Sequence, residues 1–498
     1  MPETFTIKNL IAGKRVDSVS GKTLESFNPA DTSDVVGIAP ASGKIDIDNA
    51  VKAAKKAFQN WRLVPPPKRG EILFRAAELI KKHKDELGRL VTREMGKILK
   101  EGLGDVEEAV DMAYYMAGEG RRLCGETVAS ELLNKDCKSV RVPVGVFALI
   151  TPWNFPIAIP AWKIFPALIS GNTVVFKPSS YTPVCASKLV DLITEAGVPE
   201  GVLNIVHGSG EGAGEYLVGH PGVDGVSFTG STAVGEKLIK MRSSAGKEIS
   251  CEMGGKNPII IMDDARIDLA VEGALWGAFG TAGQRCTAAS RFIVHEKVHD
   301  EFLEKFIARA KKLTVGNGLS PLTDMGPLIN ETQILRVLDY IEIGKKEGAA
   351  LRLGGSRLSS GAFKKGFFVE PTVFSEVKQK MRIAREEIFG PVACVIKATE
   401  LEDAIAIAND SEYGLSSAIY TRDANHAAIA ERDLEAGIVY INAPTIGAEI
   451  QLPFGGDKKS GIGRKEAGGR GGALDMFTKW KVIYRDFSGV LQKAQIDS

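Results

Sequence analysis

The alternation of apolar runs with amphipathic segments between residues 144 and 254 limits the fold of this chain more than any other feature. Uninterrupted apolar runs such as GVFALIT (145–151) and TVVFKP (173–178) are typical of strands that are buried on both faces. Segments between them, such as PVCASKLVDLITEAG (183–197), have the periodicity of an amphipathic helix and end at a glycine. Strands and helices that alternate at this pace predict a doubly wound parallel α/β sheet, whose ligands bind at the carboxyl ends of its strands.

The same pattern predicts the other elements of the chain. In this segment they are the strands 202–208, 223–230 and 247–255 and the helices 160–171, 211–219 and 231–246. Residues 256–450 alternate less regularly and are predicted to form a second α/β domain, as expected for a chain of 498 residues. Residues 1–120 have mostly helical patterns, the longest at 68–97, whereas segments 124–143 and 471–498 match neither core.

Charge and composition exclude several classes of partner. The 63 basic and 62 acidic residues leave a net charge of +1, which argues against nucleic acid or an anionic membrane as a partner. No apolar run reaches the roughly 18 residues that span a bilayer, and the N-terminal sequence has no secretory signal pattern. Six cysteines without paired spacing predict free thiols and a cytoplasmic location. Because the histidines are dispersed, no metal site is predicted.

Two glycine-rich segments are candidates for cofactor binding. HGSGEGAG (207–214) contains G-x-G-x-x-A, but ordinary tight turns share this pattern, and the acidic residue expected about 20 positions later is missing. In FTGSTAVG (228–235), Gly230 ends a strand and Ser231 begins a helix. A glycine lets an anion approach the backbone, and the N–H groups at a helix start favour a phosphate. An ordinary capped helix is the alternative interpretation.

Cys286 is the candidate nucleophile. The segment GTAGQRCTAAS (280–290) places it after a glycine-rich break and among small residues, where a substrate and backbone N–H donors can reach the sulfur. Most cysteines in such a chain are buried packing residues, which is the alternative for Cys286. Cys251 lies in an apolar strand and is the better candidate for packing alone.

Two further side chains are placed to assist a nucleophile. Glu252 ends the fifth predicted strand, where a partly desolvated carboxylate can act as a base near neutral pH; a helix cap or a solvated loop acid is the alternative. In TPWNFP (151–156), prolines stiffen the turn that carries Trp153 and Asn154. An asparagine amide is a suitable donor to an oxyanion, whereas Trp153 also fits plain core packing.

Seven segments occur together in one order: PWNFP, FKPSSYTP, FTGSTAVG, CEMGGKNP, GQRCTA, EEIFGPV and LPFGGDKKSGIGRKEAG. In these segments the chain resembles the aldehyde dehydrogenase superfamily over nearly its whole length. The resemblance implies NAD(P)⁺-dependent oxidation of an aldehyde to a carboxylic acid. It makes Cys286 the nucleophile, Glu252 the general base, and Asn154 and the Cys286 backbone N–H the oxyanion hole. A thiohemiacetal and then a thioester would form on the cysteine, and water activated by the glutamate would hydrolyse the thioester.

The resemblance also implies which residues bind the cofactor and the substrate. It assigns Gly230 and Ser231 to the pyrophosphate, Lys177 to the adenosine ribose, and Glu387 and Phe389 to the nicotinamide ribose and ring. The full set implied for the cofactor is Thr151, Pro152, Trp153, Lys177, Ser179, Ser180, Gly210, Gly214, Phe228, Thr229, Gly230, Ser231, Val234, Met253, Gly254, Glu387 and Phe389. The set implied for the substrate is Phe155, Trp162, Arg285, Thr287 and Phe454.

Three parts of the fold are implied as well. Residues 1–123 and 144–254 are expected to form a Rossmann-like, parallel-sheet NAD(P)-binding domain, and residues 255–470 a second α/β catalytic domain. Residues 124–143 and 471–498 are expected to form a small β oligomerisation element. Its strand-like segments KSVRVPVG and WKVIYRD are expected to pair across subunits, in a homotetramer or homodimer.

Arg285 and one loop indicate the class of aldehyde that is the substrate. An arginine directly before the nucleophile is similar to that of enzymes for semialdehydes and for glyceraldehyde 3-phosphate, and a salt bridge beneath the loop is the alternative. The loop NAPTIGAEIQLPFGG (442–456) resembles those of 2-oxoglutarate semialdehyde and aminoadipate semialdehyde enzymes. Glu108 matches an arginine of the non-phosphorylating glyceraldehyde-3-phosphate branch, and an acid there would repel a phosphate. The chain could also be a CoA-acylating enzyme, against which Glu252 argues, or a non-catalytic binding protein.

Position 180 bears on the choice of cofactor. NAD⁺-preferring members of the superfamily carry a glutamate three residues after the lysine of the FKP strand end, and Ser180 takes that place here. A serine hydroxyl can donate to a 2′-phosphate, and Lys177 supplies positive charge nearby. NADP⁺ is therefore predicted to be preferred, with NAD⁺ also used. The alternative is that a small residue only tolerates both cofactors.

Overall fold

Two large sheets organise the chain, and the computed structural model describes residues 3–243 and 247–496. The strands are β1 (Phe5–Thr6), β2 (Asn9–Ile11), β3 (Lys14–Val16), β4 (Thr23–Asn28), β5 (Asp31–Pro40), β6 (Glu126–Val128), β7 (Lys135–Pro143), β8 (Val146–Ile150), β9 (Thr173–Lys177), β10 (Leu203–Ile205), β11 (Gly225–Thr229), β12 (Ile249–Glu252), β13 (Asn257–Ile261), β14 (Ala289–His295), β15 (Ala350–Leu353), β16 (Arg357–Leu358), β17 (Phe368–Val369), β18 (Thr372–Ser375), β19 (Val392–Ala398), β20 (Tyr413–Gly414), β21 (Ser416–Tyr420), β22 (Ile438–Ile441), β23 (Asp457–Lys458), β24 (Gly461–Ile462) and β25 (Thr478–Asp486). The helices are α1 (Lys44–Trp61), α2 (Pro66–Lys82), α3 (Lys84–Met95), α4 (Leu99–Glu119), α5 (Ala158–Ile169), α6 (Pro183–Glu195), α7 (Glu215–Gly219), α8 (Thr232–Ser243), α9 (Ile267–Phe279), α10 (His299–Ala310), α11 (Glu331–Lys346), α12 (Arg382–Arg385), α13 (Leu401–Asn409), α14 (Ala424–Asp433) and α15 (Ala473–Phe477).

The first sheet has eight strands in the order β24-β12-β11-β8-β9-β10-β2-β3. Its five central strands are parallel to one another, and the flanking strands β24 and β2 pair with them in the antiparallel sense. The central strands are almost entirely buried because one hydrophobic core lies on each face of the sheet. Burial on both faces explains their continuous apolar sequences, and the predicted doubly wound sheet is confirmed.

The strand order of the first sheet reverses between β8 and β11. From β8 the chain continues to β9 and β10 on one side, and it later returns to β11 and β12 on the other. A switch point of this kind opens a crevice at the carboxyl ends of the two strands. The turns after β8, β11 and β12 therefore lie at one edge of the sheet, and each of them carries a motif that the sequence singled out.

The second sheet has seven strands in the order β15-β18-β19-β14-β13-β21-β22, and only its edge strand β15 pairs in the antiparallel sense. The predicted second α/β domain is thus confirmed. The chain leaves it earlier than the expected boundary at residue 470. β24 pairs with β12 of the first sheet, and Phe454 and Ala467 are buried in the first core.

Strands β6, β7 and β25 form a small antiparallel sheet. The expectation that KSVRVPVG and WKVIYRD pair across subunits is wrong, because β7 and β25 pair within one chain, from Thr478 opposite Pro143 to Asp486 opposite Lys135. The tail also reaches the first core, where the Phe477 ring lies 4.6 Å from the Phe147 ring, between centroids. Segment 124–143 and the described part of the tail, residues 471–496, are therefore part of the monomer fold.

The N-terminal region is mostly helical, as expected, through helices α1–α4, but strands that were not predicted precede α1. Residues before α1 form strands β1–β5, in which β4 and β5 make an antiparallel pair and β2 and β3 extend the first sheet. The long helical pattern at 68–97 is divided at His83 into α2 and α3. The expected helix 211–219 begins as a π-helical turn, Gly210–Gly214. The expected helix 231–246 is α8 as far as Ser243, and its last three positions lie outside the described residues.

Helix length and hydropathy bear on membrane insertion. Within residues 3–243 and 247–496, no helix is both long enough and apolar enough to cross a bilayer. All six cysteines are free thiols.

Candidate active site

Two cavities meet at Cys286. One, here called the inner cavity, has a volume of about 590 Å³, and the other, here called the cleft, has about 660 Å³. Both are lined by Ile159, Thr229, Met253 and Cys286. Cys286 therefore lies between the cleft, at the switch point of the first sheet, and the inner cavity beyond it.

Most of the residues that the sequence predicted line one of these spaces. In the inner cavity they are Phe155, Trp162, Thr229, Glu252, Met253, Arg285, Cys286, Thr287 and Phe454. In the cleft they are Pro152, Trp153, Asn154, Thr229, Gly230, Ser231, Met253, Gly254, Cys286, Glu387 and Phe389. Residues that are more than 230 positions apart in sequence thus surround one sulfur atom.

The other predicted cofactor residues do not line either of these two spaces: Thr151, Lys177, Ser179, Ser180, Gly210, Gly214, Phe228 and Val234. Several of them lie together at the carboxyl end of β9. The buried Lys177 ammonium donates a hydrogen bond to the carbonyl of Pro178 at 2.8 Å, and burial lowers its pKa to about 8. A side chain at Gly214 would begin 3.4 Å from the Lys177 Cδ atom, so the glycine turn rests on this lysine.

The loop before Cys286 has a strained backbone. Thr281 and Ala282 both have a φ of 53°, a left-handed conformation that costs about 1 kcal/mol or more per non-glycine residue. Glu101 at the start of α4 holds this loop, since its Oε1 atom accepts the Thr281 backbone N–H at 2.7 Å and the Arg285 guanidinium at 3.0 Å. The side chain of Gln284 donates to the Thr281 and Pro327 carbonyls, both at 3.2 Å.

Cys286 is partly accessible, and its own backbone is fixed. The Asn257 amide donates to the Cys286 carbonyl at 2.8 Å, and the Thr445 hydroxyl donates to the Thr287 carbonyl at 2.7 Å. Burial, with the carboxyls of Glu387, Glu252 and Glu466, raises the pKa of the Cys286 thiol to about 12. The thiol is therefore protonated at neutral pH and needs a base.

Cys251 differs in its surroundings. It is fully buried in β12, and burial raises its pKa to about 12. It lies in the hydrophobic core between the first sheet and α1, α7 and α8. The prediction that this thiol serves packing alone is consistent with its burial.

Glu252 ends β12 and lines the inner cavity beside Cys286. Its Oε2 atom accepts the backbone N–H of Gly456 at 3.0 Å. Burial, followed by the charge of Glu466, raises the pKa of the Glu252 carboxyl well above its ordinary value. A raised pKa makes the carboxylate a stronger proton acceptor, which suits a general base.

Asn154 is hydrogen-bonded to the loop before Cys286, residues 280–285, here called the nucleophile loop. Its amide nitrogen donates to the Gln284 carbonyl at 3.0 Å, which uses one of its two N–H groups. The other N–H group remains to donate into the cleft, which both Asn154 and Cys286 line. A second donor aimed beside a nucleophilic sulfur is what an oxyanion requires.

The far wall of the cleft is built on the second domain. The Glu387 Oε1 atom accepts the Gly255 N–H at 3.0 Å, and a side chain at Gly254 would lie 2.3 Å from the other carboxylate oxygen. Phe389 has a φ of 60°, and its ring meets Trp153 edge-on with centroids 5.6 Å apart. The Gln333 amide donates to the Phe389 carbonyl at 2.7 Å and holds this conformation.

The near wall of the cleft is a helix start. Gly230 and Ser231 precede α8, and a Cβ atom at Gly230 would lie 2.5 Å from the Phe228 ring. A glycine is required there, and the free N–H groups of the first turn suit a phosphate. The glycine-lined helix start and the carboxylate of Glu387 lie along the same cleft, so the residues present fit a dinucleotide that runs from this helix to Cys286.

Arg285 forms the salt bridge of the alternative interpretation, with Glu101, and it also lines the inner cavity. Its guanidinium lies over the rings of Phe155 and Trp276, 5.2 Å and 5.0 Å from their centroids. These contacts hold the arginine rigidly at the wall of the inner cavity.

Sequence reasoning missed a buried polar group behind Glu252. Glu466 lines the inner cavity, accepts the Thr229 hydroxyl at 2.8 Å and is bonded to the ammonium of Lys163. That ammonium also donates to the Ser227 hydroxyl at 2.7 Å. No local pattern predicts this contact, because Lys163 and Glu466 are 303 positions apart and meet only when β24 returns to the first sheet.

A doubly wound sheet whose switch-point cleft ends at an accessible cysteine defines the class: a cysteine-centred α/β oxidoreductase. Residues 16–483 match the Aldehyde dehydrogenase family, and the chain belongs to this family. It is an enzyme that acts on aldehydes with NAD(P)⁺.

Relatives and solved structures match nearly the whole chain. It is 42% identical to alpha-ketoglutaric semialdehyde dehydrogenase of Bacillus subtilis (strain 168) over 482 residues, which cover 97% of this chain and 98% of that protein. It is 43% identical to alpha-ketoglutarate semialdehyde dehydrogenase of Haloferax volcanii over 480 residues, covering 96% and 99%. Betaine aldehyde dehydrogenase from Staphylococcus aureus in complex with NAD⁺ has a TM-score of 0.94 at 37% identity, covering 97% of this chain and 95% of that chain.

Proposed function

We propose that this enzyme oxidises a semialdehyde with an acidic tail, such as 2-oxoglutarate semialdehyde, to the corresponding dicarboxylic acid. The observation that carries the proposal is the rigidly held Arg285, a cation at the wall of the same inner cavity that Cys286 lines. A guanidinium binds a carboxylate through paired N–H donors. The names of the relatives from Bacillus subtilis and Haloferax volcanii support the same substrate class.

We assign the chemistry to three residues. As the Cys286 sulfur bonds to the aldehyde carbon, its proton passes to solvent, and the carbonyl oxygen becomes an oxyanion. The free N–H of Asn154 and the Cys286 backbone N–H stabilise that oxyanion, and each such donor is worth about 10²–10³ in rate. When bound, the nicotinamide supplies the acceptor for the hydride that leaves the tetrahedral carbon. The resulting thioester is hydrolysed by a water whose proton Glu252 takes up.

Cofactor binding is assigned to both walls of the cleft and to the cluster at the end of β9. Gly230 and Ser231 would hold the pyrophosphate, Glu387 the nicotinamide ribose, and Lys177 the adenosine ribose. Ser180 is partly exposed two residues after Pro178, and it carries no charge that would repel a 2′-phosphate. We therefore propose that NADP⁺ is preferred and NAD⁺ is also used.

The alternative substrates and acceptors are disfavoured by two carboxyls. Glu108 lines the inner cavity, and its negative form would repel the doubly charged phosphate of glyceraldehyde 3-phosphate more strongly than the single carboxylate of a semialdehyde. Glu252 beside the thioester favours water over CoA as the acyl acceptor. Both residues support the hydrolytic oxidation of a semialdehyde.

We further propose the assembly and the roles of the parts. The first sheet would bind the cofactor, the second domain would supply the catalytic loop, and the sheet of β6, β7 and β25 would join subunits into a dimer or tetramer. One face of β25 carries Trp480, Val482 and Tyr484, all exposed in the single chain. The free thiols fit a cytoplasmic enzyme.

An aldehyde panel tests the proposed function. Specificity constants are measured by NAD(P)H absorbance for 2-oxoglutarate semialdehyde, succinate semialdehyde, glyceraldehyde 3-phosphate, betaine aldehyde and pentanal, each with NADP⁺ and NAD⁺ and without CoA. We expect the two acidic semialdehydes to have the highest kcat/KM and NADP⁺ to exceed NAD⁺. Preference for an uncharged or cationic aldehyde would refute the substrate class, and a strong NAD⁺ preference would refute the cofactor proposal. Replacing Ser180 by Glu should shift the preference toward NAD⁺.

A further inference from the structure

Helix α4 presents three acidic residues on one face. Glu101, Asp105 and Glu108 are spaced four and three residues apart, so they lie one above another along the helix. Two of them are committed to ion pairs, Glu101 with Arg285 and Asp105 with Lys97, both at 3.0 Å. Among the described residues, the Glu108 carboxyl has no hydrogen-bond or ion-pair partner.

The uncommitted carboxyl lines the inner cavity. Glu108 and Arg285 are the lining charges that come from α4 and the nucleophile loop. The other two charged residues of the lining, Glu252 and Glu466, lie at the end of β12 and beside Thr229. A substrate whose aldehyde carbon reaches Cys286 and whose tail lies in the inner cavity therefore meets a wall that includes Glu108 and Arg285.

We propose that Glu108 determines specificity for the substrate tail: as a neutral acid it donates a hydrogen bond to an oxo or carboxylate oxygen, and as an anion it repels an acidic tail. This inference rests on the proposed function only in placing the tail of an aldehyde in the inner cavity. The enzyme would thus select acidic semialdehydes at lower pH and lose that selectivity as the pH rises.

The groups around Glu108 determine the pH at which this change in selectivity occurs. Burial and the charge of Asp105 raise the pKa of the Glu108 carboxyl to about 7, while the cations Arg285 and Lys97 oppose the shift. The charge of Asp111 on the same helix also raises the pKa of Glu108. The charge of Glu108 in turn raises the pKa of the Tyr440 hydroxyl on β22. The neutral form predominates below pH 7 and the anion above it.

A ratio of specificity constants isolates this group. kcat/KM is measured from pH 5.5 to 8.5 for 2-oxoglutarate semialdehyde and for pentanal, which has an uncharged tail. Protonation of Cys286 and Glu252 affects both substrates and cancels in the ratio of acidic to uncharged aldehyde. We expect this ratio to fall about fivefold between pH 6 and pH 8, because Glu108 gains over this range a negative charge that repels the acidic tail.

Two isosteric variants on α4 complete the test. Glu108→Gln cannot ionise, so its ratio should stay flat with pH and should exceed the wild-type ratio at pH 8. Glu107→Gln is the control, since this neighbour pairs with Lys84 at the surface and its variant should keep the wild-type slope. A flat wild-type ratio, or a slope that survives in Glu108→Gln, would overturn the inference. A steep ratio with pentanal preferred at every pH would instead refute the proposed substrate and leave the role of Glu108 standing.

Discussion

Cys286 and Cys251 differ in whether a substrate can reach the sulfur. The Cys286 sulfur lies where the inner cavity and the cleft meet, whereas Cys251 is fully buried in β12. Both thiols have a pKa raised to about 12, so the pKa does not distinguish them. Only a sulfur that a substrate can reach can act as a nucleophile, and that criterion selects Cys286.

Alanine variants of both cysteines check this assignment. Cys286→Ala should lower kcat by about 10⁴-fold or more, because the covalent route is lost, while fluorescence titration should give an unchanged Kd for NADP⁺. Cys251→Ala should keep kcat within about twofold and lower the free energy of unfolding by about 1 kcal/mol, the cost of a small cavity. The reverse pattern in two folded proteins would make Cys251 the nucleophile.

Sequence alone located the candidate site residues that local motifs carry, and it missed those that only folding brings together. Cys286, Glu252 and Asn154 each stand in a distinctive segment, and the structure places all three beside the cleft or the inner cavity. Glu101 lies in none of these segments, and Glu466 lies in one of them, LPFGGDKKSGIGRKEAG, without a role that the sequence indicated. They reach the site through contacts with Arg285 and Thr229 that span 184 and 237 positions.

Among the elements, the nucleophile loop depends most on a distant partner. Two residues with a φ of 53° precede Cys286, and Glu101 of α4 accepts both the Thr281 N–H and the Arg285 guanidinium. Glu101 touches neither the sulfur nor the cleft, so it is a positioning residue. If Glu101 lost its charge, Arg285 would stay at the wall of the inner cavity without an ion-pair partner.

Glu101→Gln should therefore weaken both the fold and the reaction. We expect the free energy of unfolding to fall by about 2–4 kcal/mol, the range for breaking a largely buried ion pair from one side. We also expect kcat to fall by about tenfold or more, because the loop no longer aims Cys286. Denaturant unfolding measures the first effect, and the rate of Cys286 alkylation by iodoacetamide measures the second. Glu101→Asp should restore part of both, and an unchanged alkylation rate in Glu101→Gln would rule out positioning.

At the level of elements, the strength of the local pattern decides what can be predicted. The apolar strands β8, β9 and β11 are recognisable because burial on both faces demands continuous hydrophobic sequence. The short strands before α1 lack such runs, so no pattern predicted them, although residues 3–120 are mostly helical as expected. The pairing of β7 with β25 joins residues more than 330 positions apart, which no local periodicity encodes.

In the whole molecule, the small sheet carries an apolar face that stays largely exposed in the single chain. Trp480, Val482 and Tyr484 alternate along β25, and each is more than half exposed. Lys481 and Ile483 occupy the intervening positions. An exposed apolar strand face of this kind is typical of a subunit interface, which supports the proposed oligomer.

A charge placed on that face should separate the subunits without unfolding them. The double variant Val482→Lys, Tyr484→Lys should sediment as a monomer at micromolar concentration and retain the wild-type far-UV circular dichroism spectrum, because its β7 pairing uses only backbone groups. Lys481→Ser on the opposite face should leave the sedimentation coefficient unchanged. Wild-type protein that sediments as a monomer, or a double variant that keeps the wild-type mass, would contradict the proposed interface.

The central claim is that Cys286 carries a thioester that Glu252 hydrolyses, and Glu252→Gln tests it most directly. Rapid mixing of this variant with NADP⁺ and 2-oxoglutarate semialdehyde should release one equivalent of NADPH per active site and then stop. Mass spectrometry of the quenched protein should find the acyl group on the peptide that contains Cys286. Normal steady-state turnover by the variant, or a burst with Cys286 unmodified, would contradict the account.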